Sequence, residues 1–188
     1  MKEKIYYSDA EVLVLCGGRG TRLSTVVSDV PKPMAPIGNK PFLSYLVSFL
    51  IENGFVNFCF LTGFKEEIIR KYFSDNLNKQ PEQINYRFSH ESTPLGTAGA
   101  IKKAINSSSF ENYIVINGDS IFHANLGELY FWHRHRADNN HSFAILLKYM
   151  ENFDRYGSVH VDEKLNVLQF QEKMQCDQGM INAGIYFL

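Results

Sequence analysis

The residues best suited to chemistry lie in one short stretch. Gly17-Gly18-Arg19-Gly20-Thr21-Arg22-Leu23 places three glycines within four positions, directly after the apolar run 11–16. Glycines there let a backbone approach a ligand closely and free amide groups to point at anionic oxygens. Arg22 adds a guanidinium that can clamp phosphate oxygens through two parallel bonds. Pro31-Lys32-Pro33-Met34 adds a second cation on a stiff backbone. Two standard phosphate loops are excluded. GxxxxGK[ST] needs a lysine after the glycines, and none is there; GxGxxG fails because Leu23 stands at the third glycine position. A glycine loop alone would be turn chemistry as often as not. Joined to an Arg and a proline-framed Lys, it points to phosphate binding.

A second candidate is Asp119, in Asn117-Gly118-Asp119 after the apolar run 113–117. A carboxylate at the C-terminal end of a parallel strand sits where open α/β sheets bind ligands. It reads either as a turn aspartate after Asn-Gly or as a Mg²⁺ ligand, since one carboxylate plus phosphates and waters suits that ion.

These residues need elements to hold them. The β-branched, apolar runs 11–16, 56–62 and 113–117 read as buried strands of a parallel sheet. Helical spacing and punctuation predict helices over 41–53, 65–73, 96–105 and 126–137. In the first of these, Phe42, Leu46, Phe49 and Leu50 form the expected apolar face. Further strands are predicted over 84–89, 142–149 and 180–188, with a hairpin of 158–162 and 167–171. Strand alternating with helix implies an α/β fold, a Rossmann-like three-layer α/β/α arrangement with a mainly parallel sheet. The strand-rich last fifty or so residues imply a small appended β region.

Leu15 to Leu23 followed by Pro31-Lys32-Pro33-Met34 resembles the signature of the sugar-1-phosphate nucleotidylyltransferases. The resemblance continues through Pro94-Leu95-Gly96-Thr97-Ala98-Gly99, Asn117-Gly118-Asp119, Phe170-Gln171-Glu172-Lys173 and Asn182-Ala183-Gly184-Ile185-Tyr186. It spans nearly the whole chain and is most similar to the heptose-1-phosphate and mannose-1-phosphate guanylyltransferases. It implies attack by a sugar 1-phosphate on the α-phosphate of a nucleoside triphosphate, with pyrophosphate leaving in line. Such a reaction asks for positioning and charge neutralisation.

The resemblance implies a role for each motif. Arg22 and Lys32 would be the catalytic cations. Leu15, Gly17, Gly18, Gly20, Thr21, Glu91, Pro94, Gly96 and Thr97 would hold the nucleotide. Gly157, Glu172, Lys173 and Asn182 would hold the sugar phosphate, although Glu172-Lys173 alone reads equally well as a solvated pair. Asp119 would bind Mg²⁺, the expected cofactor. Glu91 stands where related thymidylyl- and uridylyltransferases tend to carry Gln. A carboxylate can accept from both N1–H and the 2-amino group of guanine, so GTP is the expected nucleotide. The alternatives are a cytidylyl-, uridylyl- or thymidylyltransferase using another phosphate acceptor, and an inactive nucleotide-sugar-binding regulator. Arg22 and Lys32, both present, favour an enzyme of nucleotide-sugar synthesis for surface polysaccharide.

Composition limits the partners. The 188 residues carry 19 Lys+Arg against 20 Asp+Glu, a net charge of −1, which argues against nucleic-acid or polybasic membrane contacts. No run approaches the roughly 18 apolar residues of a membrane span, and no targeting segment is visible, so a cytoplasmic location is expected. The three cysteines lack zinc or disulfide-scaffold spacing and are expected to be reduced thiols. A homo-oligomer is allowed. His133-Arg134-His135-Arg136 reads as a solvated helix face, and Trp132 as core. The chain ends on Ile185-Tyr186-Phe187-Leu188, apolar where termini are usually polar. One nucleotidyltransferase domain over 1–188 is therefore expected to lack its C-terminal segment, with the family's second metal aspartate beyond Leu188.

Overall fold

A computed structural model describes residues 5–18, 29–77, 83–135, 143–172 and 174–188. The first strand, β1 (Ala10–Leu15), is buried along its length. It lies between β4 (Asn57–Thr62) and β6 (Asn112–Asn117), parallel to both, and β4 pairs in parallel with β5 (Asn85–His90). The order is thus β5-β4-β1-β6. Between β1 and β4 stand two short strands, β2 (Pro36–Ile37) and β3 (Lys40–Pro41), and helix α1 (Phe42–Glu52).

The side-chain period of two sorts β1 between layers. Val12 and Val14 point into one core with α1, α2 (Glu66–Asn76) and α4 (Leu126–His135). Leu13 points to the opposite face, where Ala104 of α3 (Gly96–Asn106) packs. This is the expected three-layer α/β/α arrangement. The chain winds outward from β1 to β5, then α3 crosses the other face and returns it to β6 on the far side of β1. The sequence order therefore reverses between β1 and β6, which opens a crevice at the C-terminal ends of these strands.

The expected β region over the last fifty residues is an antiparallel continuation of the sheet. β7 (Ala144–Phe153), β8 (Ser158–Val161), β9 (Val167–Gln171) and β10 (Cys176–Phe187) continue the same sheet. Both β7 and β10 run four residues further than the polar ends of their patterns suggest, because they pair with one another from Ala144↔Phe187 to Phe153↔Cys176. Of the residues added there only Phe153 is buried, and ladder hydrogen bonds carry the rest. β10 also pairs with β6 through Ile185–Phe187 and with β8 through Ile181. Its register on β7 breaks between Asn182 and Tyr186. Gly184 sits in that break at φ +77, where an added Cβ would lie 2.4 Å from the Asn117 side chain.

Three side-chain expectations change. On α1 the buried face is Leu43, Leu46, Val47, Leu50 and Ile51; Phe49 lies at its margin, edge-on to Phe122. On α4 Leu126 and Tyr130 are buried one turn apart, and Trp132, two positions beyond Tyr130, faces away and is 60% exposed. His133 is not on the solvated face: it is half-buried against the Phe187 ring, with centroids 5.5 Å apart. Arg136 lies outside the described residues.

Beneath the sheet's N-terminal end, Glu11 is 2% exposed. Arg87 donates to both of its oxygens, at 2.6 and 2.7 Å, and the Ser108 hydroxyl donates at 2.8 Å. A charge that deep needs such partners.

Candidate active site

A cleft of about 830 Å³ lies over the C-terminal ends of β1, β4, β5 and β6. Hydrogen bonds beyond the regular strands draw its walls together. Cys16 N–H donates to Leu61 O at 2.8 Å, Glu91 N–H to Thr62 O at 2.9 Å, and Gly118 N–H to Leu15 O at 3.0 Å. At Gly118 an added Cβ would stand 2.7 Å from the Leu15 carbonyl oxygen. Glycine there lets the turn carrying Asp119 close on the glycine loop.

The structure brings together Leu15, Gly17, Gly18, Lys32, Glu91, Pro94, Gly96, Thr97 and Asp119, all lining this cleft. Gly18 faces open space. Lys32 stands on a single 3₁₀ turn, Lys32–Met34, whose Pro33 and Met34 are buried. The turn is closed by Met34 N–H donating to Pro31 O at 2.7 Å. Anchored apolar neighbours thus fix a half-buried lysine, and its ammonium group donates directly to Asp119. Glu91 follows β5; its Oε2 accepts from Leu95 N–H at 3.1 Å, and its Oε1 lies over Gly17.

Gly157, Glu172 and Asn182 lie in the antiparallel half and do not line the cleft. The close approach that Gly157 permits is to backbone: an added Cβ would lie 2.6 Å from Gln171 O. Asn182 donates to the Tyr186 hydroxyl at 2.8 Å and accepts from Gly184 N–H at 2.7 Å. Gly20, Thr21, Arg22 and Lys173 lie outside the described residues.

The cleft also includes residues to which sequence reasoning assigned no role. Gly63 and Phe64 follow β4 as Gly17 follows β1, so an apolar strand ending in glycine was the available signal. Asn117 and His90 also line it. His90 is held through Nδ1, 3.1 Å from Glu66, whose carboxylate also accepts from the Thr62 hydroxyl at 2.8 Å. This ties the ends of β4 and β5 to the first turn of α2. Cys16 sits behind the loop, and burial pushes its thiol pKa well up; burial likewise raises Cys59, to about 12. All three cysteines are free.

Among the described residues there is no cluster of three or more His, Cys, Asp or Glu that would form a cage around a metal ion. Asp119, beside a phosphate-type loop, fits a Mg²⁺ that arrives with substrate phosphates, since that ion keeps waters and takes one or two protein carboxylates. No described helix is long and apolar enough to cross a membrane.

Known proteins match this arrangement. A D-glycero-alpha-D-manno-heptose 1-phosphate guanylyltransferase from Campylobacter jejuni is 41% identical over 178 residues, covering 95% of this chain and 75% of that protein. One of the same name from Aneurinibacillus thermoaerophilus is 41% identical over 177 residues, covering 94% and 73%. The crystal structure of HddC from Yersinia pseudotuberculosis complexed with GMP-PN superposes with a TM-score of 0.80 at 32% identity, covering 95% of this chain and 76% of that one. The model of the nucleotidyl transferase family matches residues 11–188, the stretch from β1 through β10, and the chain belongs to that family.

Proposed function

We propose that this chain transfers GMP from GTP to a sugar 1-phosphate, with a D-glycero-α-D-manno-heptose 1-phosphate as the first choice of acceptor. A phosphate oxygen of the sugar attacks the α-phosphorus of GTP. The new P–O bond forms as the bond to the β-phosphate bridging oxygen breaks, and pyrophosphate leaves with the displaced charge. The observation that carries the reading is one cleft lined by the start of a phosphate-type glycine loop, a cation, a carboxylate and Glu91. The 41% identity to heptose 1-phosphate guanylyltransferases supports the choice of substrates.

The residues divide the task, the described ones by their place in the cleft and Arg22 and Lys173 by the family motif. Open backbone at Gly18 receives phosphate oxygens. Lys32, on its anchored turn, stabilises charge building on the α-phosphate, with Arg22 supplying a second cation from the same loop. Glu91 accepts from guanine N1–H and the 2-amino group. Asp119 would hold Mg²⁺, which when bound neutralises the phosphates. By the family motif, Lys173, Glu172 and Asn182 would hold the sugar phosphate on the antiparallel half, with Gly157 serving there through its close packing on the Gln171 backbone.

The test is pyrophosphate release with GTP, Mg²⁺ and a panel of sugar 1-phosphates. Release with heptose 1-phosphate and GTP, and much less with CTP, UTP or dTTP, is expected. Tight nucleotide-sugar binding without release under any pairing would instead assign a regulator.

A further inference from the structure

The seat of Glu91 is built from two glycines that the backbone conformation does not require. Neither Gly17 nor Gly63 is among the residues with positive φ. What excludes a side chain at each is the neighbourhood. A Cβ at Gly17 would lie 2.8 Å from Glu91 Oε1. A Cβ at Gly63 would lie 3.0 Å from the Gly17 carbonyl oxygen, 3.3 Å from Glu91 Cγ and 3.4 Å from Oε1. The Glu91 side chain therefore lies in a slot whose two walls come from the ends of different strands, β1 and β4.

We propose that Gly63 is a specificity-determining position, acting through Glu91 as a positioning residue: its missing side chain leaves the space in which the Glu91 carboxylate is aimed at the guanine edge. This rests on the reading of Glu91 as the guanine acceptor. A carboxylate that accepts two neighbouring N–H groups must hold one plane. Leu95 N–H fixes Oε2, and the slot fixes Cγ and Oε1. The slot walls are the stiffer partners. Cys16 N–H is bonded to Leu61 O, and the Gly17 carbonyl accepts from Phe64 N–H at 3.5 Å. A methyl group at position 63 is therefore relieved mainly by displacement of the longer, rotatable Glu91 side chain. That methyl also meets the Gly17 carbonyl oxygen at 3.0 Å, on the peptide leading into Gly18, so phosphate binding needs its own readout.

The experiment is a double-mutant cycle read as base selectivity. kcat/KM is measured for GTP and for ITP, which lacks the 2-amino group, in the wild type, Gly63→Ala, Glu91→Gln and the double variant. Inhibition by tripolyphosphate serves as the base-independent control. Gly63→Ala is expected to lower the GTP:ITP ratio about tenfold, the worth of one charge-assisted hydrogen bond, and to leave tripolyphosphate inhibition unchanged. In the Glu91→Gln background it should add no further loss of selectivity. An unchanged ratio in Gly63→Ala, or an equal drop in both backgrounds, overturns the proposal. An unchanged ratio in Glu91→Gln itself overturns the reading of Glu91 first, and the seat with it. If Gly63→Ala does not fold, Gly17→Ala presses on Oε1 from the other wall and takes its place in the GTP:ITP cycle alone, without the tripolyphosphate control, since Gly17 belongs to the nucleotide-binding loop.

Discussion

Lys32 and Asp119, 87 positions apart in the chain, form a direct ion pair in the cleft, each side chain about one-third exposed. The pair is held by unrelated devices, a proline-framed turn on one side and the tight Gly118 on the other. On the proposed function, phosphates and a Mg²⁺ would part it, and both charges would turn to the substrate. Lys32→Met is expected to lower kcat by about 10²–10³, the usual cost of losing one donor to developing charge. Asp119→Asn should abolish the response of turnover to Mg²⁺. A magnesium titration of both variants checks this; an undiminished response in Asp119→Asn removes that residue from the metal site.

Glu91→Gln exchanges a double acceptor for a group with one donor and one acceptor. The preference for GTP over UTP and dTTP should drop by roughly tenfold or more, since each charge-assisted bond is worth about 1.5–3 kcal/mol. Competition kinetics with mixed nucleotides would read the ratio directly.

Arg87→Met leaves the Glu11 carboxylate buried with the Ser108 hydroxyl as its remaining side-chain donor. Breaking one side of a buried pair typically costs about 3–5 kcal/mol. Urea denaturation should show a loss of that order. Base selectivity should not move, because the pair lies at the opposite end of the strands from the cleft.

Thiol chemistry should separate the cysteines. Burial pushes the Cys16 thiol up and Cys59 to about 12, so neither forms thiolate near neutral pH. With a disulfide reagent at pH 8, the half-buried Cys176 is expected to react in the native protein, and all three after unfolding. Fast modification of Cys16 in the native state would contradict the packing behind the loop.

His133 should give stability a pH dependence. Burial against Phe187, followed by the nearby Arg134 charge, lowers its pKa in the folded state. The unfolded chain titrates near the ordinary value of about 6.5. Below that pH the unfolded state binds more protons, so stability falls as pH drops from about 6.5 through the lowered native value. His133→Gln should flatten the melting-temperature profile over that window; an unaltered slope would assign the dependence elsewhere.

Much of this was legible from local pattern. β1, β4 and β6 announce themselves as apolar runs, Gly17 and Asp119 follow the ends of β1 and β6, and Lys32 is marked by its proline frame. That Lys32 meets Asp119 was not legible, because it depends on β1 and β6 being neighbours. Trp132 was misassigned to the core because its apolar character says nothing about which side of α4 the adjoining helices leave open. The extents of β7 and β10 escaped because they are set by pairing with each other, and their polar ends carry no hydrophobic signal. Gly17 suggested phosphate contact through its composition. Its part in seating Glu91 is visible only once residues 74 positions apart are brought together.

β10 carries a consequence for timing and reach. An in-line displacement needs attacking oxygen and phosphorus about 3–3.5 Å apart. Ile185 anchors this strand to β6, beside the cleft, and Ile181 anchors it to β8 in the antiparallel half. The two proposed substrates are thus gauged against a single unbroken length of chain, with the Gly184 kink as its only joint between those anchors. Removing one residue between Asn182 and Ile185 would shift Asn182 and all of β10 before it against the cleft, so turnover should fall further than nucleotide binding.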